Sequence, residues 1–218
     1  MELLYAAHVP AGDGPFPTVL LLHGFGANAH DLFSFAPMLH GGRALVLCPQ
    51  GPIKLPIGGG NYGYSWFPLN PGVPPDVVAF KRSADGLRAF VDGAVARYPI
   101  DPKRIVPIGF SQGGVMALDL ALRDPGRFAG VAALSSWLPE LLAEDVAKVP
   151  GHEGFPVLLV HGTEDSRLSV EKARESRELL RPFGVTLTYR EFEMGHEIRP
   201  EALRVVLKWL DEKALAAR

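Results

Sequence analysis

The chain has 218 residues, with 24 acidic and 22 basic side chains, a formal net charge of −2, 47% hydrophobic and 21% charged residues. That length supports one well-cored domain spanning 1–218, and the balanced charge without a basic run gives no pointer to nucleic acid or an anionic membrane, so no nucleic-acid partner is expected. The single cysteine, Cys48, cannot form an internal disulfide, and the N-terminal MELLYAAHVPAGDG lacks the layout of a secretory leader. No apolar run reaches the roughly 18 residues of a membrane span, so no span is expected and the cytoplasm is the expected location.

In chain order, Met1 to Val9 reads as a first strand or two. TVLLLHG (Thr18 to Gly24) predicts a buried strand ending in a turn, and RALVLCP (Arg43 to Pro49) the next, stopped by proline. A short helix is predicted between them, from Asn28 to Leu39. Gln50 to Pro75 is rich in Gly and Pro and carries Tyr62, Tyr64, Trp66 and Phe67. It is expected to be a long irregular loop, its aromatics either lining a pocket or anchoring the loop. Asp76 to Tyr98 has Phe80, Leu87, Val91 and Val95 at helical spacing. RIVPIGF (Arg104 to Phe110) is a strand, and Gln112 to Arg123 is a helix apolar nearly all round. The strands AGVAALSS (Ala129 to Ser136), PVLLVHG (Pro156 to Gly162) and VTLTYREF (Val185 to Phe192) follow. Helices are predicted over Ser169 to Leu180 and, opened by a proline, over Pro200 to Leu215. Short continuous apolar runs alternating with helices predict an α/β fold, a mostly parallel central sheet with helices on both faces.

Gly109-Phe110-Ser111-Gln112-Gly113 is a G-x-S-x-G sequence directly after a predicted strand and before a helix. A serine nucleophile needs its hydroxyl lifted off the sheet at such a turn, and the helix N-terminus favours the negative charge that develops there. Serine also needs a base. His196, in EMGHE after the last strand, stands where this arrangement presents one. The acid that orients the imidazole should follow the preceding strand, where His161-Gly162-Thr163-Glu164-Asp165 offers Asp165, with Glu164 as competitor. The order Ser, Asp, His is that of α/β-hydrolases. For the oxyanion, one amide is expected from Gln112 and a second from Phe25 in HGFG, where Gly24 and Gly26 permit close approach. His23 and His161, each before a strand-end glycine, read as braces for their turns.

The blocks LLHGFGAN, GFSQGGVMAL, HGTED and EMGHEI, in order from Thr18 to Leu210, resemble those of the phospholipase/carboxylesterase family, which includes acyl-protein thioesterases and small bacterial carboxylesterases. The resemblance implies an α/β-hydrolase fold without cofactor or metal. It also implies Ser111, Asp165 and His196 as the triad, with Phe25 and Gln112 as oxyanion donors. Broad activity on short- to medium-chain esters goes with it, and some members form homodimers. Phe25 stands where the eukaryotic thioesterase branch carries leucine, which favours a bacterial-type carboxylesterase over an acyl thioesterase or lysophospholipase.

Ser111 in place of Cys or Asp disfavours dienelactone hydrolases and haloalkane dehalogenases. A complete triad disfavours a non-catalytic binder on the same fold. Gly58-Gly59-Gly60 lacks the following Lys and Ser/Thr of a phosphate cradle, and no metal-ligand spacing appears. Trp66, Phe67, Leu69, Met116, Trp137 and Leu168 are the candidates for contact with substrate, each equally suited to core packing.

Overall fold

A computed structural model describes residues 2–69 and 76–216. The continuous apolar runs become the interior of a seven-stranded sheet, and two helical layers cover it. In chain order the strands are β1 (Tyr5–His8), β2 (Phe16–Leu22), β3 (Leu45–Pro49), β6 (Ile100–Phe110), β7 (Val131–Leu134), β8 (Pro156–Gly162) and β9 (Thr186–Phe192). Their spatial order is β1-β3-β2-β6-β7-β8-β9. Only β1 runs antiparallel to its neighbour. Strands β2, β3 and β7 are buried at every residue, so both faces of the sheet need apolar side chains and the period-2 alternation of a half-exposed strand disappears.

On one face the core is built from Leu20, Leu22 and Leu47 of the sheet against α1 (Val77–Arg97), α2 (Gln112–Leu122), α3 (Glu140–Val146) and α4 (Val170–Leu180). On the other, Val19, Leu21 and Val46 meet a 3-10 segment at Phe33–Gly42 and α5 (Pro200–Trp209). Helix α1 starts where Asp76 accepts a hydrogen bond from the Ala79 amide at 2.9 Å, satisfying one of the unpaired donors of a first turn. All eleven residues of α2 are buried. Its one charge, Asp119, is held there by Arg88 and Arg123, each at 2.7 Å.

Three expectations change. The short helix predicted over Asn28 to Leu39 is instead a kinked 3-10 segment shifted to Phe33–Gly42, interrupted at Leu39, His40 and Gly41 and containing Pro37. Helix α3 had no counterpart in the sequence reading, because seven residues give too little periodicity to see. The predicted irregular loop is an antiparallel hairpin in its first half, β4 (Ile53–Gly58) paired with β5 (Asn61–Ser65) around Gly59 and Gly60. Its alternation of Ile53, Leu55 and Ile57 was the legible signal. The end of that predicted loop, 70–75, lies outside the described residues.

Candidate active site

Because β2, β6, β8 and β9 are parallel, the loops leaving their carboxyl ends gather along one edge of the sheet. Ser111 sits between β6 and α2 with φ 52° and ψ −120°, a strained conformation for a residue with a side chain. Three backbone-directed bonds hold it there. The Ser111 amide donates to the Leu134 carbonyl at 2.8 Å, and its own carbonyl accepts from the Gly114 amide at 2.9 Å and from Ser136 Oγ at 2.7 Å. The glycines of the motif are needed for close approach. A Cβ on Gly109 would strike the Gly113 carbonyl, and one on Gly113 would strike the Leu22 carbonyl.

Asp165 and His196, the expected acid and base, come from neighbouring loops that are stitched together. The amides of Thr163 and Glu164 donate to the carbonyls of Phe192 (2.8 Å) and Met194 (3.1 Å). Across this seam His196 Nδ1 donates to Asp165 Oδ2 at 2.7 Å. Asp165 Oδ1 accepts from the amides of Arg167 (2.9 Å) and Leu168 (2.8 Å), so both carboxylate oxygens are engaged. Of the two candidate acids it is buried Asp165, and not exposed Glu164, that meets the imidazole. The half-buried His196 ring lies 4.9 Å, centroid to centroid, from the ring of Phe110, the neighbour of Ser111. Among the described residues no hydrogen bond joins Ser111 Oγ to His196. Catalytic bonds of this kind often tighten only with substrate in place.

Gln112 has a part beyond its expected amide. Its buried side chain accepts from the Trp66 amide at 2.8 Å and donates to the Phe67 carbonyl at 2.6 Å. Trp66 is itself fully buried. Its indole donates to the His23 carbonyl at 3.0 Å, and its own carbonyl accepts from Ser83 Oγ. His23 Nε2 accepts from the Gly51 amide at 2.9 Å and its Nδ1 donates to the Gly24 carbonyl at 2.7 Å. Burial pushes its pKa below the ordinary histidine value. His23 therefore braces the turn before Phe25 and offers no free ring nitrogen for catalysis. In that turn the Gly26 amide donates to the Tyr64 carbonyl (2.9 Å) and the Ala27 amide to the Gly24 carbonyl (3.3 Å), and the Phe25 amide takes part in neither bond.

Along one side of α2 lies a mostly apolar cavity of about 150 Å³, whose walls include Phe67, Leu69, Phe80, Val115, Trp137 and Leu142. Of the six proposed substrate contacts, Phe67, Leu69 and Trp137 stand in this wall. Trp66 and Met116 are core residues with no exposed surface, and Leu168 is tied into the Asp165 turn. The ring of Phe25 is exposed and is not part of the wall. The buried Cys48, whose thiol is pushed up to about 12, packs in the core of the opposite face. Among the described residues no cluster of side chains could hold a metal ion, and no helix is long and apolar enough to cross a membrane.

The phospholipase/carboxylesterase family profile matches residues 5–214. The chain is similar to a probable SOBER1-like carboxylesterase of Arabidopsis thaliana, 30% identical over 89% of this chain and 78% of that protein. It is also similar to acyl-protein thioesterase 1 of Gibberella zeae, 28% identical over 92% of each. Among solved structures, esterase PE8 superposes with a TM-score of 0.79 at 27% identity, covering 98% of this chain and 100% of that one. A Bacillus cereus carboxylesterase reaches the same TM-score at 24% identity, over 97% of this chain and 94% of that one, and shares the fold. A sheet of this order, a serine at the strained turn after β6, and a match along almost the whole chain place this protein in the phospholipase/carboxylesterase family of α/β-hydrolases, as a hydrolase of the serine type.

Proposed function

We propose that the protein is a carboxylesterase acting on short- to medium-chain esters through Ser111, His196 and Asp165. The observation that carries this reading is the 2.7 Å bond from His196 Nδ1 to a buried, fully ligated Asp165, beside a serine held at positive φ. With Nδ1 donating to the carboxylate, Nε2 keeps its lone pair for the Ser111 proton. Ser111 Oγ attacks the ester carbonyl carbon as that proton passes to Nε2, and the carbonyl oxygen becomes an oxyanion held by the amides of Phe25 and Gln112. The carbon–oxygen bond to the alcohol then breaks, and Nε2 returns the proton to the leaving alkoxide. Water repeats the sequence on the acyl-enzyme, releasing the acid and restoring Ser111. Asp165 stays ionised and stabilises the imidazolium in both halves. The apolar cavity beside Val115 and Trp137 receives the acyl chain.

A second reading, an acyl thioesterase, has the support of a relative so named that aligns over 92% of this chain. The same machinery would serve, with a thiolate leaving in place of an alkoxide.

The test is active-site titration with a fluorophosphonate, followed by rates on p-nitrophenyl esters and matched acyl thioesters. Stoichiometric labelling that disappears in Ser111→Ala, with ester turnover above thioester turnover, is the expected result. An unlabelled protein would remove the reading altogether. Full activity in Asp165→Asn, with loss in Glu164→Gln, would overturn the choice of acid.

A further inference from the structure

His161 is the penultimate residue of β8, its side chain wholly buried, four residues before Asp165. Its Nε2 lies 2.8 Å from the Leu168 carbonyl. A carbonyl can only accept, so Nε2 carries the proton. That leaves Nδ1 as an acceptor with no partner, one of the few buried polar side-chain atoms so placed among the described residues. A leucine or phenylalanine would fill the same space without burying an unsatisfied nitrogen. Packing alone therefore does not explain an imidazole at this position.

The Nε2–H bond has a consequence one step away. Leu168, whose carbonyl His161 holds, donates its own amide to Asp165 Oδ1 at 2.8 Å. The other oxygen, Oδ2, accepts from His196 Nδ1 at 2.7 Å and lies 3.4 Å from His161 Nε2. That last separation is too long for a second full hydrogen bond but close enough for the N–H dipole to act on the carboxylate. His161, Asp165 and His196 are thus linked through one short turn.

We propose that His161 is a positioning residue for the acid. It fixes the Asp165–Leu168 turn from beneath, and with it the direction in which Asp165 Oδ2 meets His196. This extends its expected role as a turn brace to the geometry of the reaction. It rests on the triad reading given above. The imidazole itself touches no reacting atom.

The experiment compares wild type with His161→Leu and His161→Gln. The readouts are kcat and KM for p-nitrophenyl butyrate across pH, thermal unfolding, and the low-field proton resonance of the His196 Nδ1–H. In His161→Leu we expect kcat to fall about tenfold or more with KM held within about twofold. The acid limb of kcat/KM should move by about half a pH unit, and the low-field resonance should broaden or vanish. Glutamine can donate to the Leu168 carbonyl, so His161→Gln should restore most of kcat and keep the resonance. A folded His161→Leu with wild-type kcat and an unmoved limb overturns the proposal. If that variant does not fold, His161→Gln decides, since loss of both its rate and its resonance also overturns it. The resonance needs no turnover. A wild type that takes no fluorophosphonate therefore defeats the esterase reading separately from this one.

Discussion

The side chain of Gln112 ties the first turn of α2, the helix that follows Ser111, to Trp66. Its carbonyl oxygen accepts the Trp66 amide at 2.8 Å while its amide nitrogen donates to the next carbonyl, that of Phe67, at 2.6 Å. The strand β5 and the cavity wall at Phe67 are thereby anchored to the residue whose backbone amide is the proposed oxyanion donor. Replacing Gln112 with leucine keeps the volume but strands a buried N–H and a buried C=O. We expect a loss of about 2–4 kcal/mol, from two unsatisfied groups at about 1–2 each. Urea denaturation measures it. A second expectation is that KM for longer acyl esters rises more than KM for acetate, because the Phe67 wall loses its anchor.

Gly113→Ala should be far more severe than its single methyl suggests. The added Cβ would overlap the Leu22 carbonyl, a backbone atom of the adjoining strand that cannot swing away. A destabilisation of about 3 kcal/mol or more is expected, with turnover lost in whatever folds, since relieving the overlap must separate β2 from α2. Melting temperature and titration of active serine provide the check. Gly154→Ala is the control, because its Cβ would meet nothing within 4 Å, although its positive φ of 73° still carries some strain.

His23 should make stability depend on pH in a defined direction. Burial depresses its folded pKa, and both ring nitrogens are committed in the neutral form. Below about pH 6.5 the unfolded chain takes up a proton there that the native chain refuses. Its stabilising contribution is thus present above that pH and is lost as pH falls towards the folded pKa. Wild-type stability should decline from pH 7.5 to 5.5, measured as the urea midpoint, with a shallower decline in His23→Gln. Equal slopes in the two proteins would dismiss this assignment.

Glu191 should act in the same direction at lower pH. Arg174, hydrogen-bonded to its carboxylate, and then Tyr189 hold its pKa down to about 2. The stabilisation is complete above the ordinary carboxylate range and fades as pH falls towards 2. The cluster lies near the surface, so solvent screening keeps the effect under about 1 kcal/mol. Glu191→Gln should narrow the gap in stability between pH 5 and pH 3.

The cavity sets the expected acyl preference. Each methylene moved from water onto Phe67, Phe80 and Trp137 contributes about 0.8 kcal/mol, close to fourfold in kcat/KM, until the space is full. Leu142→Phe should shorten the preferred chain on a p-nitrophenyl ester panel and leave acetate hydrolysis nearly unchanged.

Much of this architecture could be read before any coordinates. The buried strands announce themselves as unbroken apolar runs, because a parallel sheet covered on both faces has no polar side to show. The G-x-S-x-G turn was legible because a strained strand-to-helix turn needs small residues at fixed offsets. Asp165 and His196 stood out as candidates by their places after the last two strands, and the fold brings them within one hydrogen bond of each other. The hairpin β4–β5 was hidden by glycine and proline that suggested irregular chain, although its alternation was present in the sequence.

What the linear chain determined by itself was which residue types follow which strands, and hence which side chains gather at one sheet edge. Tertiary structure brought Asp165, and not Glu164, to the His196 imidazole, gave the Gln112 amide group its two partners, and tied Ser136 to the Ser111 carbonyl and His161 to that of Leu168. It also placed Trp66 and Met116 in the core, while Phe67 and Trp137 reached the cavity wall. The reason is physical. Periodicity and turn chemistry act over a few neighbouring residues, whereas hydrogen bonds between residues 25 to 46 positions apart depend on how layers pack, which no local pattern encodes.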